Sequence, residues 1–141
     1  QRLETEITAL ITELNPRTLT IPGIGPISAA VIISEYGNIQ NFTSPSQMLS
    51  FAGLEPGYYQ SGTMEFKGKM VKRGSSQLRY ALMNCTMPLI MYNMVFAEYY
   101  HKKRAEGKPH RVAQNHVVKK LIRVIYTLET TDVSFDASKL R

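Results

Sequence analysis

A chain of 141 residues with 43% apolar side chains is long enough to fold around one core and too short for two domains to be expected. Its formal net charge is +6, and 13 of its 17 Lys and Arg lie between Lys67 and Arg123 against two carboxylates, Glu98 and Glu106; such a segment favours a polyanionic partner through attraction and counterion release. Cys85 is the sole cysteine, which excludes an internal disulfide and a thiolate zinc cage and leaves it as a small core residue.

The chain opens at Gln1 within a helical pattern, which predicts a neighbouring domain before it. Leu3, Ile7, Leu10 and Leu14 are spaced as the seam of a coiled coil or helix pair, and Asn15-Pro16 should stop that helix. Residues 1–15 therefore read as the end of a coiled-coil or linker helix. In "LTIPGIGPISAAVIISEYG", Pro26 starts a helix with Ile27, Ala30, Val31 and Ser34 on its apolar face, and Gly37 caps it. "TSPSQMLSFAG" repeats the logic, with Ser44 as N-cap, Pro45 at the first position and Gly53 after the last turn.

Residues 54–74 are the least helical stretch, and "TMEFKGKMVK" can form a two-stranded hairpin turning at Lys67-Gly68. A long helix is predicted from Ser75 toward Tyr100, kinked or interrupted at Pro88. "HKKRAEGKPH" reads as a polar break. A last helix spans about Arg111 to Leu128, burying Val117, Leu121, Val124, Ile125 and Leu128, and a polar, loose tail follows over 129–141. The fold class is mainly α with one small β excursion. There is no signal-peptide pattern, and the uncharged run around Asn84, Pro88 and Asn93 falls short of a membrane span, so the chain reads as cytoplasmic with no membrane partner.

Three constellations bear on chemistry. In "IPGIGP", Gly23 and Gly25 flank Ile24 and permit a tight turn before a helix start whose amides can grip a phosphate oxygen. The pattern over 19–37 resembles the helix-hairpin-helix element of DNA-binding proteins; the other reading is a plain connecting turn. Base-excision glycosylases with such a hairpin use an aspartate soon after it, and this chain has none before Asp132. The carboxylates of 1–128 are scattered and His101, His110 and His116 lack helical metal spacing, so no metal site is expected in this chain.

The third constellation is Ser61. A turn at Lys67-Gly68 places Ser61 opposite Gly74, close to Lys72, Arg73 and Arg79. A serine hydroxyl needs a base to become a nucleophile, and guanidinium groups stabilise the charge built on a phosphoryl group under attack. The register supplies the hydroxyl and the cations but no evident base. On these grounds alone Ser61 reads more readily as a turn hydroxyl than as a nucleophile.

The ordered series "LTIPGIGPISAAVIISEYGN", "QMLSFAGLEP", "QSG", "KRG" and "LRYAL" resembles the C-terminal transposase domain of bridge-RNA-guided insertion-sequence transposases, the family of the Piv and MooV invertases. The resemblance covers about residues 17–128. It implies a DNA recombinase whose preceding Asp-Glu-Asp-Asp domain holds magnesium and is joined by a coiled coil. It implies a catalytic serine at Ser61 that forms a phosphoserine link to cut DNA, and a basic stretch at Lys72, Arg73 and Arg79 on the DNA. Guide RNA and homo-oligomerisation are further implications, and the chain alone is expected to be inactive. Gln60, Thr63 and Met64 depart from many relatives around the serine. Two readings follow: the serine-bearing domain of such a transposase, or a non-catalytic hairpin module docking a larger enzyme on nucleic acid. The basic helices around Lys102–Arg123 can serve either as an RNA surface.

Overall fold

The computed structural model describes residues 2–54 and 76–139. The hairpin expected around Lys67-Gly68, and with it Ser61, Lys72 and Arg73, lies outside the described residues. Within them the chain is helical throughout: α1 (Arg2–Leu14), α2 (Pro26–Tyr36), α3 (Pro45–Phe51), α4 (76–84), α5 (Thr86–Tyr92), α6 (Met94–Ala105) and α7 (His110–Thr131), with short 3-10 turns at Arg17–Thr20, Ile39–Asn41 and Ala137–Lys139. No strand occurs among the described residues.

The longest helix, α7, is the central element. Its 22 residues bury Ala113, Val117, Val118, Leu121, Ile122, Val124, Ile125 and Leu128, so the five residues expected from periodicity are the middle of a wider apolar face. Leu78 and Leu82 of α4, Leu89 of α5, Phe96 of α6, Ile32 of α2 and Met48 of α3 complete the fully buried core around it.

Local chemistry explains most boundaries. Ser44 caps α3 by accepting from the Gln47 amide, and Pro45 follows at its first position. Gly53 turns left-handed (φ +76°) at the other end, and Leu54 N–H returns to Leu49 O at 2.9 Å. Gly37 ends α2 by donating to Ile33 O. Asn15 ends α1 with φ +54°, a conformation asparagine tolerates and one compatible with the following proline's veto on helix. Tyr36, Phe42 and Phe51 meet at ring-centroid separations of 5.5–5.6 Å and join α2 to α3. The Tyr36 hydroxyl donates to Met48 O at 2.9 Å, and burial pushes its phenol well above the ordinary range.

Three expectations are corrected. The buried side of α2 is Ala29, Ile32 and Tyr36, while Ile27, Ala30 and Val31 are half-buried and Ser34 is exposed; a helix apolar nearly all round carries no periodicity with which to choose a face. The α1 seam is not among them: Ile11 is the residue of α1 buried within the chain, and Leu3, Leu10 and Leu14 stay 66%, 67% and 66% exposed with no described element against them. The long helix toward Tyr100 is three helices. Pro88 cannot donate to Asn84 O and its ring crowds that carbonyl, so the break falls upstream at Cys85 and Pro88 sits in the first turn of α5. Finally, residues 101–105 belong to α6, and the polar break shrinks to 106–109 with Gly107 at φ +94°.

At the C-terminal end, α7 runs through Thr131 and stops where Asp132 turns left-handed at φ +57°. Phe135 N–H donates to Thr20 Oγ1 at 2.9 Å, and Phe135 packs against the core. Thr18, fully buried, gives both its N–H and its hydroxyl to Glu129 Oε2 at 2.7 Å. Residues just past α7 are thus tied to the 3-10 turn that leads into the glycine hairpin.

Candidate nucleic-acid interface

The sequence Ile21-Pro22-Gly23-Ile24 forms a four-residue turn closed by Ile24 N–H to Ile21 O at 3.0 Å. Proline at the second position and a left-handed residue at the third match a type II turn, and Gly23 supplies the positive angle at φ +105°. Ile21 and Ile24 are buried and fix the two arms in the core. Gly23 also lies on α5: an added Cβ would sit 3.2 Å from Leu89 Cα, Leu89 Cδ2 and Pro88 O. The hairpin therefore rests on α5 where two backbones approach closely.

Asn93 holds the hairpin from the other side. Between α5 and α6 the chain turns extended at this residue, its Oδ1 accepts from Val95 N–H at 3.1 Å, and its Nδ2 donates to Pro22 O at 2.9 Å. The side chain is buried and both its functions are satisfied. Replacing Asn93 with Ala removes a helix cap and the side-chain bond to Pro22 O, with an expected cost of about 1–2 kcal/mol. Urea unfolding of the variant measures it; a change below about 0.5 kcal/mol would contradict the role given to Asn93.

Gly25 differs in kind from Gly23. It is the N-cap of α2 in extended backbone (φ −83°, ψ 169°), exposed, and a Cβ there would meet no described atom within 4 Å. Its carbonyl accepts the first helical bond, from Ala29 N–H at 2.9 Å. Pro26 has no amide hydrogen, and the Ile27 and Ser28 amides in the first turn have no acceptor within the helix. With the helix dipole behind them, these donors form a positive end able to meet a phosphate oxygen. The two glycines thus serve separate needs: Gly23 permits the turn, and Gly25 leaves the approach to the helix end open.

The first turn of α2 also forms one wall of a groove. Ile27, Ser28 and Val31 face Ser76, Gln77, Tyr80, Ala81 and Asn84 of α4 across a space of about 430 Å³. Ser28 additionally hydrogen-bonds Cys85, whose thiol is pushed up by burial and only partly brought back by that bond. Ser76 follows Gly74 by two residues, so the groove is where the described chain resumes after the Ser61–Arg73 stretch. Arg79 lies on α4 beside this region, and its Nη1 donates to Ala52 O, just past α3, at 3.3 Å. The structure therefore brings Arg79 to the C-terminal end of α3, and places Gly23 in the turn before α2 and Gly25 at the N-cap that follows it.

Of the histidines, His101 and His110 are exposed, and His110 Nδ1 lies 2.6 Å from the Tyr100 hydroxyl. His116 is held below its ordinary pKa, first by partial burial and then by Lys103, Lys119 and Lys108. Among the described residues no three His, Cys, Asp or Glu side chains gather where a metal ion could sit, and no described helix is long and apolar enough to cross a membrane. Asn93 is the site residue that sequence reasoning passes over. Its only signal is that asparagine is a favoured N-cap, in a run otherwise read as one helix.

Residues 15–101 match the Transposase IS116/IS110/IS902 family. The chain is 29% identical over 128 residues to an "Insertion element IS110 uncharacterized 43.6 kDa protein" of Streptomyces coelicolor, covering 89% of this chain and 32% of that protein. It is 29% identical over 130 residues to the "Transposase for insertion sequence element IS1328" of Yersinia enterocolitica, covering 87% and 38%. It is 28% identical over 132 residues to the "Pilin gene-inverting protein" of Moraxella bovis, covering 88% and 40%. The chain thus spans about a third of the length of the curated relatives it matches. No solved structure matches it. The matched stretch takes in the glycine hairpin, the Asn93 brace and the helices that carry them, and the chain belongs to the IS116/IS110/IS902 family of transposases.

Proposed function

We propose that this chain is the DNA-gripping, serine-bearing part of an insertion-sequence recombinase. One observation carries the reading: a single continuous family match over 15–101 contains both the hairpin with its open helix end and the Ser61–Arg79 stretch. Relatives named for transposition and for inversion of a pilin gene share that stretch, and both operations rejoin DNA strands. In the proposed step Ser61 Oγ attacks a backbone phosphorus as its proton passes to a base. A P–O bond to one sugar oxygen breaks, that oxygen takes a proton, and the phosphate remains esterified to the serine. Reversal by a different sugar hydroxyl rejoins the strand without an external energy source. Lys72 and Arg73 steady the phosphoryl charge, Arg79 supports them from α4, and Gly23 and Gly25 present the α2 amides to the backbone nearby.

Among the described residues no three His, Cys, Asp or Glu side chains gather where a metal ion could sit; the resemblance assigns magnesium to an acidic domain preceding these residues. Guide RNA and assembly of several copies belong to the same reading of the whole protein. The competing reading is a module that docks on DNA by its hairpin and does no chemistry. Gel-shift assays of the 141-residue chain on a short duplex address the hairpin directly. Gly25→Leu, whose Cβ would meet no described atom within 4 Å, is expected to weaken binding about tenfold or more, because it blocks the approach to the α2 amides; Ser61→Ala is expected to leave it unchanged. Equal binding by Gly25→Leu and the unaltered chain would remove the hairpin from the interface.

A further inference from the structure

Helices α6 and α7 run antiparallel across the short 106–109 link and carry matching stripes. On α6, Tyr99, Lys102 and Lys103 occupy one face; on α7, His116, Lys119, Lys120 and Arg123 do the same at spacings of three and four. The two stripes meet at the Tyr99 ring, over which Lys103 Nζ and Lys120 Nζ stand 5.3 and 4.9 Å from the centroid. Lys103 is pinned further by Glu106 at 3.4 Å, with its side chain only 17% exposed. These ammonium groups are set in place before any ligand arrives, unlike the freely rotating lysines of a solubilising surface.

The arrangement is costly to the free chain. Residues 102–123 hold eight Lys or Arg and one carboxylate, Glu106, while Glu98 precedes Lys102 by one turn and Glu129 is committed to Thr18. Lys120 is held below its ordinary pKa by burial first and then by Arg123 and Lys102. A ligand bearing several negative charges relieves that repulsion. From His116 to Arg123 the α7 stripe spans about 10 Å, room for about three phosphates of one strand, so its shape suits a polymer better than a small anion. Lys103 lies ten residues along α6 from Asn93, about 15 Å from the brace of the glycine hairpin, so the stripe is a separate place on the molecule.

We propose that the Tyr99-centred stripe of α6 and α7 is a second nucleic-acid site, which binds a sugar–phosphate backbone independently of the hairpin and of Ser61. Binding of the 141-residue chain to a labelled 30-base-pair duplex DNA and to a labelled 30-nucleotide RNA hairpin, each from 50 to 200 mM salt, tests it. The Lys102→Gln, Lys120→Gln, Arg123→Gln triple variant is expected to bind about 10- to 100-fold more weakly at the low-salt end. Its plot of log affinity against log salt should be shallower by about 2–3. Gly25→Leu should weaken binding with no such change in slope. A slope change with RNA alone assigns the stripe to RNA, with DNA alone to DNA, and with both to backbone in general; unchanged slopes with both overturn the proposal. A second readout needs no variant. Phosphates beside Lys103, Lys108, Lys119 and Glu106 favour the imidazolium form of His116, so its NMR-measured pKa should rise when either oligonucleotide is added, and affinity should strengthen as pH falls through that raised value. A His116 pKa that neither oligonucleotide moves overturns the proposal as well.

Discussion

In the full-length protein, Ser61→Ala is expected to abolish recombination while leaving DNA binding within about twofold of the unaltered protein. The expectation rests on the division of labour proposed for the chain: the hairpin amides and the lysines provide affinity, and one hydroxyl provides the bond. Removing an attacking atom typically costs several orders of magnitude, because the remaining groups can stabilise charge only if something attacks. Ser61→Cys sharpens the test, since a thiolate in the same place can attack phosphorus but makes a poorer link; weak residual activity is expected. Recombination at the unaltered rate by Ser61→Ala would favour the docking-module reading instead.

The second large effect is on folding. Gly23→Ala places a methyl group 3.2 Å from Leu89 Cα and Pro88 O in a backbone conformation of φ +105°. Positive φ alone costs a non-glycine residue about 1–3 kcal/mol, and two of the three crowded atoms are backbone that cannot swing aside. A loss of about 3 kcal/mol is expected in urea unfolding, with α2 and α5 moving apart. Gly25→Ala in the same measurement should change stability by less than about 1 kcal/mol, since its φ of −83° suits any residue and no described atom stands in the way. Two glycines one residue apart thus separate structure from ligand approach. Equal destabilisation by both substitutions would show that the hairpin is held by something other than its contact with α5.

How much of this is legible in the sequence depends on where the controlling interaction lies. Caps act within a few residues, so Gly37, Ser44, Pro45 and Gly53 read correctly as boundaries of α2 and α3. The buried face of α7 also reads correctly, because it alternates with charged residues that only one orientation can expose. α2 defeats the same reasoning: Ile27, Val31, Ile32 and Ile33 are all apolar, and the partner helices choose among them. The break at Asn93 is set by Pro22, 71 residues away, whose carbonyl takes the asparagine amide. No local pattern announces that pairing. The break at Cys85 is half-legible, since Pro88 predicts an interruption but the lost bond falls four residues upstream. At the site, Gly23 and Gly25 read as a pair from spacing, yet only the packing against Leu89 distinguishes their tasks. The cations of α6 and α7 are visible in composition; their convergence on Tyr99 follows from an antiparallel pairing that periodicity does not reveal.

The leucines of α1 make a further contrast. Their spacing reads as a seam, and the structure leaves Leu3, Leu10 and Leu14 exposed while Ile11 faces α2. The apolar pattern of one helix thus holds two faces, one spent on this chain's core.

The most direct measurement traps the full-length protein on a DNA substrate, denatures the complex, digests both polymers and maps the nucleotide-bearing peptide by mass spectrometry. The expected result is a phosphodiester remnant on Ser61, absent from Ser61→Ala. A covalent adduct that persists in Ser61→Ala, or that maps to another residue, contradicts the account.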